Sequence, residues 1–130
     1  MVTDLVAFLR ARLDEDEALA RSVRWDGSEA SLEWQLRASA AVDVGGDEFY
    51  AGDCTVANHV VRHDPARVLT EVNAKRGVIA LASQATEEAA SEDFLLRVPA
   101  QAQLGVLKPV LRLLALPYAD HPDYREEWRP

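Results

Sequence analysis

Ser31-Leu32-Glu33-Trp34-Gln35-Leu36-Arg37-Ala38 is the stretch on which the fold class turns. Leu32, Trp34 and Leu36 alternate with Glu33, Gln35 and Arg37, and this period of two predicts a strand with one face in water. Val42 and Val44 continue the alternation, Gly45-Gly46-Asp47 is a turn signal, and residues 48–51 read as a returning strand. A small antiparallel meander of two or three strands follows. Because a lone hairpin is marginal in water, its Trp34 face is expected to lie on a helix.

The flanks are helical. Upstream, Thr3 and Asp4 are good caps, and Leu5, Phe8, Leu9, Leu13 and Ala20 recur at helical spacing to about Arg24, before a breaker at Trp25, Asp26, Gly27 and Ser28. Downstream, Thr55 to His63 predicts a short helix with Thr55 as cap. Asp64 then caps a long helix opened by Pro65, where the missing N–H costs nothing, and running to near Ala89. Lys75 falls inside its apolar stripe, with Glu71 one turn earlier to neutralise it. Residues 91–100 read as irregular around Phe94 and Pro99. A last apolar helix is expected over 102–116, kinked at Pro109 or starting afresh there; Pro117 ends it and Pro122 opens a terminal turn. The expected architecture is α+β: a helix-rich single domain, residues 1–130, with a small antiparallel β-meander packed on helices.

Charge narrows the function classes. Twenty-two acids against fourteen bases leave −8, most of it in residues 1–64, a field that repels nucleic-acid backbones and anionic membranes. The longest apolar concentration, Leu104 to Leu116, is broken by Lys108, Pro109 and Arg112 and is shorter than the roughly twenty residues of a membrane span. Cys54 is the single cysteine, and an acid at Asp4, close behind Met1, stands where a secretory signal would be basic, so a reducing cytoplasm is the expected setting.

No complete catalytic signature is present, so the sequence leaves open whether the protein is an enzyme. His59 and His63 are four apart on one expected helical face, Asp64 adjoins them, and His121 lies between Asp120 and Asp123, a donor set suited to zinc or another divalent metal. Val60 stands where the metalloprotease helix would carry its glutamate, which excludes that assignment. The same residues are also explained without an ion, since both His-containing stretches precede or include a proline that starts a helix, where polar side chains cap free N–H groups. Cys54 with His59 has no defined geometry for thiolate chemistry, and Gly45-Gly46 is a hairpin turn rather than a phosphate cradle. Tyr118, Tyr124 and Trp128, with His121 and Arg125, crowd the C-terminal stretch with amphipathic rings that either dock back on the domain or anchor a partner.

Three motifs carry a resemblance: TDLVAFLRARLDEDE at residues 3–17, HVVRHDPARVLTEVNAKR at 59–76, and LRLLALPYADHPDYREEW at 111–128. Together they resemble a family of small actinobacterial and actinobacteriophage proteins of unknown function. The resemblance implies an intracellular bacterial protein, with phage descent as one origin, and supplies no mechanism.

The leading expectation is a non-catalytic protein–protein interaction module with no cofactor, an unidentified protein as partner, no nucleic acid and no membrane. Tyr118, Tyr124 and Trp128 are its candidate contacts, and assembly into a homo-oligomer is compatible with it. The alternative is a divalent-metal-binding protein or hydrolase using His59, His63 and His121 with Asp64 or Asp120. A third reading is an acidic DNA-mimic inhibitor, its acidity interrupted by Arg10, Arg12, Arg21 and Arg24.

Overall fold

A computed structural model describes residues 2–25 and 27–130. Asp26, part of the expected breaker, and Met1 lie outside the described residues. The fold is helix-rich α+β, in the order α1 (Val2–Arg21), β1 (Arg24–Trp25), β2 (Ser28–Glu29), β3 (Gln35–Leu36), β4 (Ala41–Asp43), β5 (Glu48–Tyr50), α2 (Cys54–Arg62), α3 (Pro65–Ala89) and α4 (Phe94–Ala115). Short 3-10 turns at Leu116–Tyr118 and Glu126–Trp128 follow. The chain groups into two compact units, one of residues 2–14 with Asn73–Pro130, the other Glu15–Val72, with the boundaries inside α1 and α3.

The Glu15–Val72 unit carries both sheets. Where the sequence read only a break, β1 and β2 pair antiparallel, Arg24 opposite Glu29 and Trp25 opposite Ser28. The expected meander forms as β3-β4-β5, with Leu36 opposite Val42 and Val42 opposite Phe49. Its first strand is far shorter than the alternation predicts. The Ser31 hydroxyl donates to the Glu33 carbonyl and accepts from the Glu33 N–H, and the Trp34 indole N–H donates to the Ser31 carbonyl. These local bonds give the backbone an alternative to a ladder, so residues 31–34 turn, and only Gln35–Leu36 pairs. Trp34 nonetheless reaches a helix-backed core, packing with Val42, Val44 and Ala57 of α2. The turn before β5 requires glycine: Gly45 sits at φ +104°, and a Cβ there would lie 2.5 Å from Ser31 Cβ.

Asp53, not Thr55, caps α2, its carboxylate accepting from both the Thr55 N–H and the Thr55 hydroxyl. Asp64 caps α3 as expected, accepting from Arg67 N at 2.8 Å, while its other oxygen accepts from Trp34 N at 3.1 Å. One carboxylate thereby starts a helix and pins the turn that shortens β3. The helix then continues through Asn73 and Gly77 without a break. Glu71 accepts from Arg67 at 2.9 Å.

The other unit is helical. Leu5, Phe8, Leu9 and Leu13 of α1 are buried, as are Ile79, Ala82 and Ala85 of α3 and Ala100, Leu111 and Ala115 of α4. Alanines at contact positions let helix backbones approach closely. Asp14 accepts from Arg76 at 2.7 Å and Ser83 from Arg10 at 3.1 Å, tying α1 to α3 at the rim.

Two expectations for α4 need correction. Residues 94–100 are not irregular but form its first turns, opened by Asp93, whose carboxylate accepts from Leu95 N at 2.9 Å. Nor does Pro109 start a new helix, because α4 runs through both Pro99 and Pro109. Each proline removes one i→i−4 bond, which would release the carbonyls of Leu95 and Gly105. Both prolines are on the exposed side of the helix, where water can take those carbonyls. The terminal turn also forms later than expected, at Glu126 rather than Pro122.

Candidate functional site

The C-terminal stretch folds back on α1 around a single ring. Phe8, fixed by the apolar spacing of α1, has the rings of Tyr118, His121, Tyr124 and Trp128 at centroid distances of 6.4, 5.8, 5.9 and 5.1 Å, three of them edge-on. Edge-to-face pairs of this kind add stability beyond the area they bury. Tyr124 and Trp128, four apart, meet each other at 5.8 Å. Arg125 closes the arrangement from outside, donating to Asp4 at 3.0 Å and lying over the Trp128 ring at 5.3 Å. Trp128 is only 4% exposed. These aromatic residues thus pack onto the chain's own first helix.

His121 belongs to this cluster. Its Nδ1 is 2.8 Å from Arg12 Nη1 and 3.1 Å from the Asp123 N–H. Both partners are obligate donors, so Nδ1 must be an unprotonated acceptor, with the ring proton on Nε2. Arg12 is buried and lies over the Phe8 ring, its guanidinium 5.1 Å from the ring centroid. The imidazole thus holds a buried guanidinium and the start of the last turn in place.

His59 and His63 do meet as their spacing predicts. Their ring centroids are 4.6 Å apart, on the last turn of α2 and its C-terminal cap, and both residues are exposed. They fall in the Glu15–Val72 unit, and His121 in the other. Asp64, expected as a further ligand, has one oxygen on Arg67 N and the other on Trp34 N. Asp120 is exposed. Among the described residues no group of three or more His, Cys, Asp or Glu side chains is placed to hold a metal ion. Cys54 is an exposed free thiol at the start of α2.

The displaced acids are explained by the turns they build. Asp43 is lowered to about 2, first by the side-chain hydrogen bond from Arg37 and then by the backbone N–H groups of Gly45 and Gly46. Asp53 is lowered by the Thr55 hydroxyl and N–H that it caps, and Glu126 by Arg129 within the last turn.

The feature that sequence reasoning missed lies on α4. On a wheel of 100° per residue its core side is centred on Ala100, Leu111 and Ala115, all buried. Directly opposite lie Leu95, Ala102, Val106, Pro109 and Leu113, every one exposed, flanked by Val98 and Leu116. Leu95 is 78% exposed, Val106 69% and Leu113 57%. No polar side chain interrupts this outer face. The polar residues of α4 are Arg97, Gln101, Gln103, Lys108 and Arg112, and the helix has no acid, in a chain whose net charge is −8. Beside the stripe an open groove of about 450 Å³ runs between Pro130 and α4, lined by Gly105, Lys108, Pro109, Arg112 and Leu113. The signal was in the text: apolar residues at 95, 98, 102, 106, 109, 113 and 116 repeat every three or four positions. It was hidden because Pro99 and Pro109 argued against one continuous helix.

No helix among the described residues is long and apolar enough to cross a membrane. These features describe a small helix-rich α+β protein with an aromatic-locked tail and an apolar helix face open to solvent. The chain belongs to a family of unknown function, DUF6221, whose model matches residues 2–130. Comparisons with curated proteins and with solved structures find no match.

Proposed function

We propose that this protein is a non-catalytic protein–protein interaction module and that the outer face of α4 is its docking surface. One observation carries the reading: Leu95, Val106 and Leu113 stand open to solvent on a helix whose opposite face is already buried in its own unit. Contiguous exposed apolar patches mark interaction sites. The tail rings, the other candidate contacts, are engaged with Phe8. The three bases of α4 and the absence of acids lower the cost of approach for any partner with an acidic surface.

A photo-crosslinking amino acid at Val106, with a second at exposed Glu87 as control, tests this in cells. A discrete polypeptide adduct at Val106, absent at Glu87 and lost when Leu95 and Leu113 become Gln, is expected. No adduct at Val106, or equal adducts at both positions, would overturn the proposal.

A further inference from the structure

Lys108 and Arg112 stand one turn apart on α4, a spacing at which like charges repel. Other cations of this acidic chain are neutralised: Arg37 by Asp43, Arg67 by Glu71, Arg76 by Asp14 and Arg125 by Asp4. Among the described residues only Arg62, Lys75, Lys108 and Arg112 are bases with no hydrogen bond or ion pair, and the last two line the same cleft.

That cleft opens between the first turn of α1, the flank of α4 and the Glu126–Trp128 turn, with a volume of about 200 Å³. Apart from the two cations its walls are Val2, Leu5, Leu111 and Trp128, and all but Val2 are buried. Trp128 adds a second observation. The indole N–H of Trp25 donates to Asp47 at 2.6 Å, and that of Trp34 to the Ser31 carbonyl at 2.8 Å. The indole N–H of Trp128 is buried and has no acceptor. Buried polar groups are nearly always hydrogen-bonded, so an orphan donor on the wall of a cleft calls for an acceptor from outside the chain.

The local field is positive as well. α1 opens at Val2, so the positive end of its helix dipole borders the cleft. The acids of the surrounding elements are already engaged, Asp4 with Arg125 at 3.0 Å, Glu127 with Arg125 at 3.7 Å and Glu126 with Arg129. α4 itself has none.

We infer that this cleft binds a small carboxylate with an apolar body. The two oxygens match the guanidinium fork of Arg112, Lys108 supplies a second positive charge, and the body lies against Leu5, Leu111 and the Trp128 ring. Both halves of the ligand are needed. A bare inorganic anion leaves the apolar walls wet, and an uncharged chain leaves both cations and the indole N–H without a partner. The volume, about that of seven liquid waters, limits the body to a short chain or one ring. On the helical wheel Lys108 and Arg112 fall between the buried side of α4 and its outer stripe, so the site is separate from the docking surface proposed above.

The test follows the three indole N–H resonances of the isotope-labelled full chain by NMR at constant ionic strength. Sodium hexanoate is the probe; hexanol, with the body but no charge, and inorganic phosphate, with the charge but no body, are the controls. Hexanoate is expected to move the Trp128 resonance saturably and to leave those of Trp25 and Trp34 in place, with both controls at least tenfold weaker. Lys108→Met and Arg112→Gln change exposed side chains, so each should keep the helical CD signal and weaken hexanoate binding at least tenfold. No saturable shift at Trp128, or undiminished binding when both substitutions are combined, overturns the inference. Hexanol or phosphate binding as tightly as hexanoate overturns it too.

Discussion

Leu111 and Leu113 are two residues apart on α4 and face opposite worlds, and truncating each in turn separates core from docking surface. Leu111 is 0% exposed, so Leu111→Ala removes buried methyl groups and leaves a cavity, at a cost of about 2–5 kcal/mol. Leu113 is 57% exposed; within one copy Leu113→Ala deletes little buried surface, and its effect on the isolated chain should stay within about 0.5 kcal/mol. Chemical denaturation at low micromolar concentration, followed by far-UV CD, reads both values from the shift in midpoint at constant slope. Comparable losses for the two substitutions at low concentration would refute the reasoning, because the supposedly open face of α4 would then be part of the chain's own core.

The tail predicts a second energetic contrast: Phe8→Ala should cost about 3–5 kcal/mol and abolish the ring-current shifts of Tyr124 and Trp128 in NMR spectra, and a cost below 1 kcal/mol would mean that the rings do not need their hub. Gly45→Ala should destabilise more than Gly46→Ala in thermal melts, since both glycines have positive φ but only at Gly45 would a Cβ meet Ser31, at 2.5 Å; equal effects would count against that close approach. Asp43, held near 2 against an ordinary 3.8, contributes stability that is fully present above pH 3.8 and is lost as pH falls through about 2. Its carboxyl carbon shift should therefore titrate near 2, and the stability gap to Asp43→Asn should close in that same window; a midpoint near 4 would show that the Arg37 and Gly45 contacts do not persist in solution.

Local signals were legible wherever one residue does one job. Asp64 and Pro65 announced the start of α3, and Gly45-Gly46 announced the hairpin between β4 and β5. Residues 31–38 misled because Ser31 can bond to the backbone of Glu33 within its own turn, a competition that an alternating pattern does not express. α4 was obscured for the opposite reason. Two prolines read locally as breaks, yet each costs one hydrogen bond on the exposed side, while Ala100, Leu111 and Ala115 hold the other side in place along the helix. His121 could not be assigned from its neighbours, because the group that fixes its tautomer, Arg12, lies more than a hundred residues away in sequence.

The balance of apolar material points in the same direction as the docking reading. Nearly half the residues are hydrophobic, enough for a core and a surplus. Part of that surplus is aligned: the aromatic side chains near the C-terminus pack on Phe8, and Leu95, Val98, Val106, Leu113 and Leu116 line one side of α4. A stray exposed leucine needs no explanation. Seven successive outward positions from Leu95 to Leu116 without a polar side chain are different, because a surface helix gains solubility from any Glu or Lys placed there and loses nothing from its own core. Substituting charges along that line is thus the most discriminating perturbation of the molecule: it should leave folding intact and remove association.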